Sequence, residues 1–312
     1  MISLAITKIV HRFALGPVQR SFIVKLLKSD LMVPNRQIYA NILLDDWFKR
    51  TFGTEARKKI MELFLRELIP EHDIVELTYV NTEHTNPIEG KRDVRVDVEC
   101  MDRDGTRFVV EMQLARQAHF YERALLNSTF AIQEQSVKGD INYDFPTVYF
   151  IALLDFSFHG KDSRPLYKYA IREETSGELM TPRLKYYILE LPNCSKALTA
   201  EASIIDNFCY TLHNMSSFTS QPEELKDELF NLLFDSAEIA TFTPKEKAKY
   251  EFDMTTERDI QNFIDYARQE GREEAKALRD AEIVKAMMAK KYPVEDISEI
   301  TGLTASEIEK LS

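Results

Sequence analysis

Residues 93–114 read DVRVDVECMDRDGTRFVVEMQL, and this stretch decides the fold. Val94, Val96, Val98 and Cys100 alternate with Asp93, Arg95, Asp97 and Glu99, the period of a half-buried strand. A second strand-like run, Thr106 to Leu114, follows Asp104-Gly105, a strong hairpin signal. With the turn at Arg103-Asp104-Gly105, Asp102 faces Thr106, Asp97 lies across from Glu111, and Arg95 lies across from Gln113. That register puts Asp97, Glu111 and Gln113 on one face and Val96, Val98, Val110 and Met112 on the other. Two carboxylates opposed at a cross-strand Cβ distance of ~4.5–5.5 Å repel and need an offset. A hard divalent cation such as Mg²⁺ supplies one, since it takes oxygen ligands. Gln113 could then orient a water. A solvated polar face, with Arg95 and Arg116 pairing the acids, is the other reading of the same residues.

Outward from the hairpin, the order of elements is that of a mixed α/β core. Ile38 to Phe52 reads as a helix closed by Gly53, and Thr54 can cap a second one that Pro70 stops. Ile74 to Thr82 is strand-like. Gln117 to Val137 reads as a helix. Thr147 to Leu154 (TVYFIALL) is a continuous apolar run suited to a strand buried on both faces. Lys185 to Leu191 is a further strand. After Pro192 the chain turns helical: Ser203 to Met215, Pro222 to Ala240, and one long pattern from Thr255 to Lys290 with Ile260, Ala267, Leu278, Val284 and Met288 in its stripe. Two short helices, Val294 to Ile300 and Thr304 to Leu311, meet at Thr301-Gly302-Leu303. They resemble a helix-turn-helix, but Glu307 and Glu309 make the second a poor recognition helix, which favours packing or self-association.

Composition narrows the classes. The chain has 312 residues and a net charge of −11, so a wholly basic nucleic-acid coat is excluded while a local basic face is not. Such a face is legible between 47 and 66, where Lys49, Arg50, Arg57, Lys58, Lys59 and Arg66 meet only Glu55 and Glu62. It is either a solvated helix face or a surface for phosphates. Cys100, Cys194 and Cys209 form neither a disulfide framework nor a zinc pattern, which points to a reducing cytoplasm. No apolar run is long enough to argue for a membrane span. Residues 1–31 carry Lys8, Arg12, Arg20, Lys25 and Lys28 against one acid, Asp30, and stand apart from the rest. They read as an extension of doubtful status, with a second candidate start at Met32. Residues 32–250 read as the main domain, and 251–312 as a long helix with a small helical tail. That tail is the candidate homodimer contact.

The ordered set Asp46-Trp47-Phe48-Lys49, Phe52-Gly53, VDVEC with Asp97, Asp104-Gly105 and VVEMQ with Glu111 and Gln113 resembles the Rpn-type recombination-promoting nucleases, also called PD-(D/E)XK nuclease family transposases. Phe120-Tyr121-Glu122-Arg123 and VYFIALLDF are similar to that family too. The resemblance runs from about Tyr39 to Phe158, more weakly into the helical tail. It implies a restriction-endonuclease-like mixed sheet flanked by helices, cutting DNA with Mg²⁺ or another divalent cation. It further implies that Asp97 and Glu111 hold the metal. Gln113 would stand where the motif usually has Lys, Asp46 would lend an acid from the first helix, and Arg123 would grip the scissile phosphate or pair with Glu111. The expected function is metal-dependent endonuclease; the alternative is a catalytically silent DNA-binding or regulatory protein that kept the fold.

Overall fold

The computed structural model describes residues 37–84, 90, 93–136, 145–160, 163–194, 198 and 202–311; the expectations for residues 1–31 and Met32 lie outside them. The chain forms two compact units, one ending at Phe242 and the other beginning at Thr243.

In the first unit, α1 (Asp45–Phe52) and α2 (Lys58–Leu68) precede β1 (Thr78–Tyr79), β2 (Glu83–His84), β3 (Val94–Arg95), β4 (Val98–Met101) and β5 (Arg107–Gln113). Then come α3 (Phe120–Gln135), β6 (Val148–Leu154), β7 (Leu166–Ala170), β8 (Leu184–Glu190), α4 (Ile204–Asn214) and α5 (Glu228–Ala237). Six strands make one mixed sheet in the order β1-β4-β5-β6-β8-β7, and β2 and β3 make a separate ribbon. β5, β6 and β8 run parallel, and β4 and β7 antiparallel to their neighbours. β6 is buried along its whole length, as an apolar run without alternation requires.

Side-chain alternation sorts the sheet into two layers. Phe108, Val110 and Met112 join Phe48, Phe64, Phe208 and Phe230 in a core under α1, α2, α4 and α5. Val109 joins Phe150, Ala152, Ile188 and Ala124 in a core under α3. Glu111 and Gln113 share the parity of Val109, so both side chains lie on the α3 side.

The hairpin register is the expected one from Met101↔Arg107 to Val98↔Val110. Gly105 turns it with φ +86°, and the Asp102 N–H bonds Thr106 O at 2.9 Å. Beyond Val98 the ladder stops. In an unbroken ladder Val96 and Met112 would exchange backbone hydrogen bonds. Instead the Val96 N–H bonds Thr82 O at 3.0 Å, and the Asp97 carboxylate takes the Met112 N–H. Arg95 therefore does not face Gln113; it pairs with Glu83 on β2. Val96 packs in the α3-side core while Val98 packs in the other, so the expected shared face of Val96 and Val98 is also corrected. The chain bends at Asp97 and changes layer.

Other boundaries shift. Residues 38–44 are not helical: Tyr39 bridges Glu238, and the Ala40 N–H bonds Ala237 O. Ile42, Leu43 and Leu44 are all buried in succession, which one helix face cannot achieve. Thr54 does not cap α2; a short turn, Glu55–Arg57, intervenes. In the second unit, α6 (Pro244–Ala289) has 46 residues, roughly 69 Å at ~1.5 Å per residue. It starts earlier than the stripe suggests because Thr243 and Glu246 close a capping box around Pro244. Val284 packs with Ile297 of α7 (Val294–Thr301) and Ile308 of α8 (Ala305–Leu311), while Leu278 is exposed. No described helix is long and apolar enough to cross a membrane.

Candidate functional site

α1 buries Trp47, Phe48, Thr51 and Phe52, which turns Asp45 and Lys49 outward on the opposite face, one helical turn apart. Lys49 Nζ lies 2.5 Å from Asp45 Oδ1 and 3.4 Å from Asp97 Oδ1. The bend at Asp97 aims its second oxygen at the Met112 N–H, 2.8 Å away. That contact sets the Asp97 carboxylate against the peptide that follows Glu111.

Glu111 sits in mid-strand, 5% exposed, and Asn127 Nδ2 on α3 donates to its Oε1 at 3.2 Å. Burial pushes the Glu111 carboxyl up to about 8, and the charge of Asp97 adds to the rise; Arg123, Asn127 and Lys49 oppose it. Burial also raises Asp97, against the Met112 N–H and the Lys49 charge. Burial pulls Lys49 down, but its bond to Asp45 and the charge of Asp97 outweigh that and leave it raised. The result is a buried carboxylate and a half-buried one that disfavour each other's ionisation, with one ammonium beside them. Both are oxygen donors, and a hard divalent cation would offset the burial and the mutual repulsion that raise them, so the donor set fits Mg²⁺.

Gln113 ends β5 on the same side of the sheet and is buried. Arg123, in the first turn of α3, is half-buried, and its charge reaches Glu111. Asp46 is exposed on α1; of the two acids opening that helix, Asp45 is the one joined to Asp97 through Lys49. Five of the six cations of the basic stretch, Lys49, Arg50, Arg57, Lys58 and Lys59, are spread over different partners. Arg50 stacks on Phe242 at 4.4 Å and bonds Ser236 O, Arg57 bonds Arg50 O, Lys58 pairs Glu55, and Lys59 lies 4.0 Å from Glu62. Lys49 among them reaches the acid pair.

Two partners escaped the sequence reading. Asn127 follows Arg123 by four residues, so both face the sheet from one side of α3; that spacing was the available signal. Lys49 follows Asp45 by the same interval. Two further groups of described residues could offer ligands to a cation, His72 with Asp102 and Asp104, and His84 with Glu99 and Glu134. Their atoms are already engaged. Asp102 takes the N–H groups of Val75, Glu76 and Arg103 as well as His72. In the second group Arg107 bonds both Glu99 and Glu134 at 2.7 Å, and His84 bonds the same two carboxylates from its two ring nitrogens.

Compared with known proteins, residues 43–267 match the family model described as PD-(D/E)XK nuclease family transposase. No curated protein and no solved structure matches the chain.

Proposed function

The chain belongs to the PD-(D/E)XK nuclease family transposases, and from that membership we propose that it is a divalent-metal-dependent DNA endonuclease of the recombination-promoting type. The observation that carries the reading is the burial of Glu111 beside Asp97, the two residues that the resemblance assigns to the family's motif acids. Stability is often sacrificed in this way at active sites.

Asp97 and Glu111 are the residues that would hold the cation. When bound, the cation screens phosphate charge and makes water a nucleophile near neutral pH. The chain's own groups do the rest. Glu111 gives up its proton as the site loads. Gln113 can neither carry a positive charge nor take a proton, so it orients water or phosphate through its amide. Lys49, beside Asp97, supplies the ammonium that the third motif position lacks. Arg123 offers bidentate hydrogen bonds to a phosphate from the α3 side. The acid from the first helix is Asp46 by the family motif and Asp45 by contact with Lys49. DNA would approach along α1 and α2, where Arg57, Lys58 and Lys59 lie near Lys49 and Arg50 in sequence. The exposed Phe252, Ile260, Tyr266 and Leu278 of α6 support a second copy of the chain as its partner. The free, buried cysteines support a cytoplasmic setting.

The test is plasmid cutting. The parent protein is expected to nick or linearise supercoiled DNA with Mg²⁺ and not with EDTA. Asp97→Ala should lower the rate by more than about a hundredfold, since losing even a partner of a metal ligand costs 10–100-fold. DNA binding by the parent with no cutting would select the catalytically silent alternative. Cutting by Asp97→Ala at the parental rate would remove the pair from the reaction.

A further inference from the structure

At the end of the sheet where β5 finishes, a second constellation lies outside the acid pair. The strand register places Gln113 beside Leu154 and Leu154 beside Glu190. Glu190 is thus two strands from Gln113, roughly 10 Å. Its carboxylate is fully buried and accepts from Ser157 Oγ at 3.3 Å, His159 N at 3.0 Å, His159 Nδ1 at 2.5 Å and Asn193 Nδ2 at 2.6 Å. This holds the His159 ring, which also stacks on Tyr167 with centroids 3.8 Å apart. The far nitrogen, Nε2, meets the hydroxyls of Tyr169 at 2.9 Å and Tyr121 at 3.5 Å. Both tyrosines are exposed, Tyr121 at 41% and Tyr169 at 37%.

So a buried carboxylate fixes a histidine, and the histidine fixes the polar ends of two exposed rings. The two rings, inclined at 72° with centroids 6.1 Å apart, border a groove of about 230 Å³ lined by Tyr121, Ala124, Leu125, Tyr169, Tyr186 and Ile188. That is below the ~300–1,000 Å³ of a drug-sized pocket and suits one planar ring system. Cations flank it. Exposed Arg116 lies over Phe158 at 5.1 Å, and exposed Arg164 lies over Tyr167 at 4.4 Å. Tyr121 is two residues from Arg123, so α3 joins this surface to the acid pair.

We propose that the groove walled by Tyr121 and Tyr169 is a platform for an unpaired base of the DNA strand near the acid pair, one ring stacking on the base and the other, set across it, meeting the base edge, with Arg116 and Arg164 beside its phosphates. Aromatic faces and guanidinium groups at one edge are what binds a single strand irrespective of sequence. Rings already pinned at their hydroxyls lose little freedom on binding. The identity of the nucleic acid rests on the nuclease reading; the platform itself rests on the groove. The favoured substrate class is therefore DNA with a single-stranded, frayed or flipped segment next to the cut.

The experiment is fluorescence anisotropy of the full chain in EDTA, with a labelled single strand and its duplex. Replacing both rings, Tyr121→Leu with Tyr169→Leu, should weaken single-strand binding by about tenfold or more and duplex binding by less than about twofold. Tyr121→Phe with Tyr169→Phe keeps the faces and should keep the binding, which separates stacking from the hydroxyl network. Thermal melts check that each variant folds. Independently of any variant, 5-iodouracil in the single strand should photo-crosslink to Tyr121 or Tyr169 of the parent. Unchanged single-strand binding by the Leu pair, or crosslinks confined to other residues, would overturn the platform. If the same preparation still cuts plasmid with Mg²⁺, only the platform falls. Ring-dependent binding without cutting would leave the platform standing and remove the nuclease reading.

Discussion

Glu111→Gln is expected to make the metal-free protein more stable, and by a margin that grows with pH. The folded carboxyl stands at about 8 against an ordinary 4.5. Below pH 4.5 the group is protonated in both states and costs nothing. As pH rises above that, the unfolded chain ionises while the folded site stays protonated, so the parent loses stability by about 1.4 kcal/mol per pH unit. The loss levels off above about 8, once the folded group ionises too. The whole window amounts to a few kcal/mol, on the order of 3–5. Gln keeps the shape and the contact with Asn127 and removes the titration. Urea unfolding of both proteins at pH 5 and pH 8, in EDTA, measures the difference. A gap between them that does not change with pH would contradict the proposed burial of Glu111 against Asp97.

Arg107→Met is expected to destabilise the fold by about 3–5 kcal/mol. The Glu99 side chain is fully buried and has Arg107 at 2.7 Å and His84 at 2.8 Å as partners. Removing the guanidinium leaves that charge inside the protein with only the imidazole beside it. It also frees Glu134 from its second bond. The cost comes from the stranded carboxylate more than from the lost pair, so adding Glu99→Leu should restore part of the stability. Urea unfolding of the single and double variants decides it. A single variant within about 1 kcal/mol of the parent would mean that the ring of four residues carries little.

These two predictions differ in how far the sequence foretold them. The register from Met101↔Arg107 to Val98↔Val110 was legible because Asp104-Gly105 sets the turn; the expected pairing of Asp97 with Glu111 lies just beyond the end of that ladder. The bend at Asp97 was not legible, because it depends on Thr82, which takes the Val96 N–H from another strand. The ring around Glu99 joins β2, β4, β5 and α3, and alternation alone cannot bring His84 and Glu134 to one point. β7 went unread as well: Leu166–Ala170 is a short, half-exposed edge strand without a strong apolar pattern. The start of α6 was written in Thr243-Pro244 and Glu246 but outweighed by the apolar stripe that begins later. Lys49 was read as one cation of a surface stretch; its spacing from Asp45 was the clue to its place beside the acids.

Asp97 and Glu111 together are the proposed seat of a divalent cation. This seat is tested most directly by isothermal titration of Mn²⁺ into the parent and into Glu111→Gln near pH 7, in buffers of different ionisation enthalpy. The parent is expected to bind the ion and release protons, because Glu111 enters the titration mostly protonated, and the variant neither to bind comparably nor to release them. Equal binding by both, or binding by the parent without proton release, would contradict it.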